Sequence, residues 1–108
     1  MALLSLGKVS VTTAATPVRI TINQSVPSAH LGVQSVSVFA LAGNSGTNIY
    51  VGSSAMVPST LVGVWAIVPK GSVISLGIGM APAGLDARDF YLCSDTDNDA
   101  ALVSATVQ

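Results

Sequence analysis

Apolar and polar residues alternate one by one along most of this chain, and a period of two puts every second side chain on the same face of an extended strand. In "KVSVTT" (8–13) Val9 and Val11 oppose Lys8, Ser10 and Thr12; in "PVRITIN" (17–23) Val18, Ile20 and Ile22 oppose Arg19, Thr21 and Asn23. Similar runs are "VQSVSVFALA" (33–42), "TNIYVG" (47–52), "GVWAIV" (63–68), "SVISLGIGM" (72–80), "DFYLCS" (89–94) and "ALVSATV" (101–107). They are separated by "AATP", "NQSVPSAH", "AGNSG", "SSAMVPST", "PKG", "APAGLDAR" and "DTDND". Glycine there admits positive φ, proline presets φ near about −65°, and Asn, Asp and Ser bond their own backbone. A chain of 108 residues holds one domain with a real core. The expectation is all-β: one antiparallel β-sandwich over residues 1–108, eight-stranded, with a jelly roll preferred to an Ig-like sandwich.

Two segments depart from strict alternation. In "VWAIV" Val64, Ala66 and Val68 share one face and Trp65 and Ile67 the other; in "FYLC" Phe90 and Leu92 oppose Tyr91 and Cys93. Both faces of each are apolar, whereas a sandwich covers only one face of each sheet. The second face therefore asks for a loop, another segment of the chain or a neighbouring subunit. Val64, Trp65, Ile67 and Tyr91 are accordingly the candidate interface residues, and a homo-oligomer, a trimer by preference, is expected.

Charge is sparse: 8% of residues, against roughly 25% in an average soluble domain. Between Arg19 and Lys70 no Asp, Glu, Lys or Arg occurs. Polar residues interrupt that run too often for a spanning helix, which needs about 18 or more apolar residues, so no membrane partner is expected. A net charge of −1 with no basic cluster argues against nucleic acid. The opening "MALLSLGKVSV" has no basic region before its apolar residues, so it reads as made without export. Cys93 is the single cysteine, which excludes an intrachain disulfide and reads as a small buried apolar side chain.

The residues that carry chemistry do not converge. "SDTDNDA" (94–100) places Asp95, Asp97 and Asp99 at the spacing that begins an EF-hand loop. Yet Ala100 stands where the loop needs Gly, Thr106 where it needs Glu, and the residues that follow alternate as a strand. The expectation is a hairpin tip with hydrated carboxylates and no metal. "GIGMAPAG" has Pro82 where a dinucleotide-binding loop needs its third Gly. His30 is the only imidazole, no G-x-S-x-G surrounds any serine, and there is no Glu. Neither catalysis nor a cofactor is expected. Trp65, Tyr50 and Tyr91 leave open a stacking surface for a glycan.

Three stretches, "LGKVSVTTAATPVRIT" (6–21), "ALAGNSGTNIYVGSSAM" (40–56) and "APAGLDARDFYLCSDTDNDAALVSA" (81–105), together resemble a group of small virion proteins encoded in the structural modules of tailed bacteriophages. The resemblance implies a jelly-roll or related sandwich and, as function, head decoration or cement: trimers made in the bacterial cytoplasm that bridge major capsid protein subunits in the virion. It carries over no catalytic residue. A tail or fibre adhesin that binds a glycan is the alternative it leaves.

Overall fold

The computed structural model describes residues 2–20, 32–77, 85–86 and 90–107. Among them are nine strands and no helix: β1 (Ala2–Val11), β2 (Val18–Arg19), β3 (Gly32–Ala40), β4 (Asn48–Val57), β5 (Val62–Pro69), β6 (Val73–Gly77), β7 (Leu85–Asp86), β8 (Tyr91–Cys93) and β9 (Asp99–Val107). His30, residues 78–84 of the glycine-proline run and residues 87–89 of "DARD" lie outside the described residues.

The strands form two antiparallel sheets in a sandwich-like arrangement. One has the order β1-β9-β3-β6, with β7 pairing β3 beyond β6; the other has the order β2-β8-β4-β5. Inward positions of both sheets meet in one core: Val9, Val11, Val36, Val38 and Val103 on one side face Ile49, Val51, Val68 and Leu92 on the other. Most are β-branched, with stiff χ1 angles that suit a pleated surface. Full burial of one such side chain is worth about 1.5–3 kcal/mol, and Ile20 and Phe90 add to the same cluster.

The alternation located the strands, and bulges moved their limits. β1 begins at Ala2, six residues before the expected segment, because its register shifts between Ser5 and Gly7. Gly7 takes a φ of 77° there. Ser5 is exposed while Val9 and Val11 are buried, although all three are odd-numbered, so a bulge has exchanged the two faces along the strand. β4 runs on to Val57 through residues expected as a turn, leaving 58–61 as the hairpin connection. β7 was not expected at all: Leu85 and Asp86 pair with Val33 and Gly32 inside a stretch read as turn.

Four connections meet at one end of the sandwich and are tied together by backbone bonds. Ala15 N–H donates to Ser94 O at 2.7 Å, Asn98 N–H to Val11 O at 2.8 Å, Leu41 N–H to Ala100 O at 3.2 Å and Gly71 N–H to Ala40 O at 2.7 Å.

Candidate functional site

The acidic turn between β8 and β9 is wired inward. Asp99 is buried; its Oδ1 accepts the Ser45 N–H at 2.8 Å, and its Oδ2 accepts the Gly46 N–H at 2.9 Å and the Ser94 hydroxyl at 3.1 Å. Asp97 Oδ1 accepts the Ala14 N–H at 2.7 Å. The reading of hydrated carboxylates is thereby corrected for Asp99, where backbone donors from a neighbouring loop take the place of water; Asp97 stays exposed while it holds the Ala14 N–H. Such charge-assisted bonds are stronger than neutral ones. Asn44 completes the tie, its Oδ1 accepting the Ala100 N–H and its Nδ2 donating to Ala100 O, both at 2.9 Å, as a strand backbone would. Gly46 must stay bare, since a Cβ there would lie 2.6 Å from both Asp99 Oδ2 and Thr96 Oγ1. No cluster of three His, Cys, Asp or Glu side chains able to hold a metal ion occurs among the described residues.

The outer face of the β2-β8-β4-β5 sheet is partly covered by its own hairpin. Beyond Gly52 the register of β4 and β5 slips, and residues 53–64 carry Met56 into contact with Tyr50 and Cys93 in a second apolar cluster. Val64 and Tyr91 pack against that cluster half-buried. The fold-over relies on two glycines: a Cβ on Gly52 would collide with the Gly63 carbonyl, and Gly63, at a φ of 74°, lies against Ser53 and Met56. The second face of "FYLC" is thus covered within the chain. Burial in this cluster pushes the Cys93 thiol above its ordinary pKa; a hydrogen bond with the Ser94 backbone opposes that shift and the Asp95 charge adds to it.

β5 is different. The register shift between Val51 and Gly52 leaves Trp65 as an extra residue, so the simple split of Val64, Ala66 and Val68 against Trp65 and Ile67 does not hold. Val64 joins the outer cluster, whereas Trp65 meets the core residue Phe90 edge to face, with centroids 5.4 Å apart at 82°. Half the Trp65 surface remains in solvent (53%), as does much of Ile67 (41%). At the hairpin end Val57, Leu61 and Val62 are also exposed, Val62 to 61%. Leu61 holds a φ of 61°, a left-handed conformation uncommon for a bulky side chain.

The four candidate residues therefore divide. Val64 and Tyr91 come together under the hairpin, and Trp65 and Ile67 stand outside it. Sequence reasoning missed Val57, Leu61 and Val62, because Pro58, Ser59 and Thr60 marked the region as a turn; the signal was available in the apolar residues bracketing that turn. The three aromatics proposed for stacking are separated in environment. Tyr50 is buried, and Tyr91 carries Arg19 over its ring at 5.6 Å while its hydroxyl accepts from Arg19 Nη2 at 3.0 Å.

The outer face of the other sheet carries a serine row. Ser5, Ser104, Ser37 and Ser75 are opposite one another across β1, β9, β3 and β6, and the Ser37 and Ser75 hydroxyls bond at 2.8 Å. The next row sets Leu102, Phe39 and Val73 side by side. Between the rows lies an open groove of about 340 Å³ lined by Ser5, Ser37, Ser104, Phe39, Val73 and Leu102. No helix among the described residues is long and apolar enough to cross a membrane. No family model, curated protein or solved structure matches the chain.

Proposed function

We propose that this chain is a non-enzymatic virion structural protein of the head-decoration type, a jelly-roll subunit that assembles as a homotrimer and bridges subunits of the major capsid protein. One observation carries the reading: the large side chains exposed around β5 are apolar, while Asp97 and Asp99, from the most charged turn, are engaged by backbone donors. A surface of that kind suits broad attachment by apolar burial and shape, repeated over many copies. The jelly roll is supported by strand order. With the two-residue β7 set aside, β1-β9-β3-β6 faces β2-β8-β4-β5, and the chain changes sheet at every remaining connection except the β4–β5 hairpin. Such crossing connections make the paired Greek keys of jelly rolls, a fold used by viral capsid proteins and lectins.

The whole-chain resemblance to virion proteins points the same way. A glycan adhesin would need aromatic faces gathered in one groove, and the environments of Tyr50, Tyr91 and Trp65 do not favour it. The test is to add purified protein to phage heads, remove unbound chain by sedimentation, and image the particles. Density on the head surface, with heads that resist heating better than bare ones, is the expected result. Density confined to the tail tip, or heads equally robust with and without the protein, refutes the proposal.

A further inference from the structure

The folded-over end of β4 and the acidic turn together line a pocket of about 220 Å³. Met56, Val57 and Pro58 supply its apolar wall, and Tyr50, Ser59 and Asp95 supply its polar groups. Tyr50 is the unusual member. It is nine-tenths buried, it packs in one cluster with Met56 and Cys93, and its hydroxyl bonds to no other described residue. A buried hydroxyl without a protein partner is costly, which raises the question of what satisfies it. Asp95 also differs from its neighbours in the turn. Asp97 and Asp99 hold backbone N–H groups, whereas the Asp95 carboxylate accepts only the Thr96 hydroxyl among the described residues, and at 3.4 Å. No Lys, Arg or His is among the described residues lining the pocket, and Asp95 forms no ion pair with any described residue. The Ser59 hydroxyl, exposed at the rim, likewise bonds to no other described residue.

We propose that this pocket binds a protonated primary amine on a short unbranched carbon chain, the chemistry of a lysine side chain or of a free alkylamine. The charge of Asp95 selects a cation, and none of the described lining residues supplies one. An ammonium carries three donors and no acceptor. The pocket offers three groups able to accept from it: the Asp95 carboxylate and the hydroxyls of Tyr50 and Ser59. Met56, Val57 and Pro58 give the carbon chain an apolar wall, and the unbranched Met56 thioether adapts to its shape. Size is compatible. The pocket's 220 Å³ is the space of roughly seven waters at about 30 Å³ each, enough for an amine with a chain as long as lysine's. The site is independent of the decoration reading, because its lining lies within one chain.

The probe is n-butylamine, which is charged at neutral pH because alkylamines share lysine's high pKa. NMR titration of the full chain reads its binding through the Met56 methyl group and the Ser59 and Asp95 amides. Saturable shifts at those residues, with a dissociation constant in the millimolar range, are the expected result. n-Butanol, alike in size but neutral, should bind about three- to tenfold more weakly than the amine, and Asp95→Asn should weaken the amine by a similar factor, since Asp95 is exposed and its pairing partly screened. Tyr50→Phe keeps the ring and loses the hydroxyl, and should weaken the amine by about threefold. High salt should weaken the amine and not the alcohol. Thermal melts establish that each variant folds; if Tyr50→Phe does not, the alcohol and salt comparisons on the parent and the Asp95→Asn titration decide. A lysine-centred tripeptide with blocked ends separates the two sources. Binding at least as tight as butylamine's assigns the pocket to a lysine presented by another protein, and looser or absent binding assigns it to a free alkylamine. No saturable shifts at the three reporters, butanol binding as tightly as the amine, or full affinity in Asp95→Asn or in folded Tyr50→Phe overturns the proposal.

Discussion

The acidic turn and the β4–β5 hairpin are both surface connections, and they treat their side chains in opposite ways. Around residues 94–99 polar groups bind neighbouring loops: Asp99 is buried and bonded to three donors, and the exposed Asp97 ties down Ala14. Around residues 57–67 apolar groups point outward, with Leu61 in a left-handed conformation and Trp65 half in water. The difference separates two kinds of selection on a loop. The polar turn satisfies its own neighbours, so its residues serve the fold. The apolar hairpin leaves its large side chains uncovered by the described residues, so the fold alone gives no account of them.

The largest expected effect tests the first half of that contrast. Replacing Asp99 with Ala removes the acceptor of the part-buried Ser45 and Gly46 N–H groups and of the buried Ser94 hydroxyl, and the loss should be about 2–4 kcal/mol in chemical denaturation, since an unpaired buried donor costs about 1–3 kcal/mol and a part-buried one less. An effect under about 1 kcal/mol would show the turn to be wet after all. Gly46→Ala should fall close behind, because its Cβ meets the same carboxylate.

A second, smaller effect concerns pH. The Cys93 thiol is raised in the folded chain by burial, so folding disfavours the thiolate relative to the unfolded state, where the ordinary value is near about 8.5. Sulfur-linked stability is then fully present below that value and is lost as pH rises through the higher folded value. The parent's melting temperature should drop more between pH 8 and 10 than that of Cys93→Ala, and the native thiol should react slowly with a thiol reagent. Equal slopes would place the sulfur in solvent.

The hairpin half of the contrast predicts a change of opposite sign. Leu61→Gly should stabilise the isolated subunit by about 0.5–1 kcal/mol, because glycine tolerates the left-handed φ without a Cβ penalty. Destabilisation would mean that the side chain packs within its own subunit. Smallest of all is the response to calcium. Asp97 and Asp99 already accept bonds from backbone donors, so millimolar calcium or a chelator should leave the melting temperature unchanged. A clear rise with calcium, abolished by replacing Asp95, Asp97 and Asp99 with Asn, would reverse the assignment of this turn.

Strand positions were legible because burial on one face imposes a period of two, and Val36, Val38 and Ala40 keep it without interruption. What interrupts the period was not legible. The bulges near Gly7 and Trp65 exchange inner and outer positions through the pairing partner's register, which local spacing does not encode. Asp99 was misread for a similar reason: its donors, Ser45 and Gly46, come from a loop more than 50 residues earlier. A carboxylate in a turn reads as solvated until those partners are in place. For β5, composition disclosed an apolar second face, but which of its residues the chain would cover depended on the Gly52 and Gly63 crossing, a feature of three dimensions.

The position of β9 has a consequence for biosynthesis. It follows all the other strands in sequence, yet it lies between β1 and β3, flanked on both sides. A ribosome must therefore deliver residues 99–107 before that sheet can exist, and until then the first and third strands wait with unpaired backbone facing an empty slot. Loop closure across about a hundred residues is slow, and open strand edges invite pairing with other nascent chains. High expression would sharpen that hazard, since neighbouring nascent chains carry the same missing strand. Folding yield should consequently respond to expression rate and temperature far more than the stability of the finished subunit would suggest.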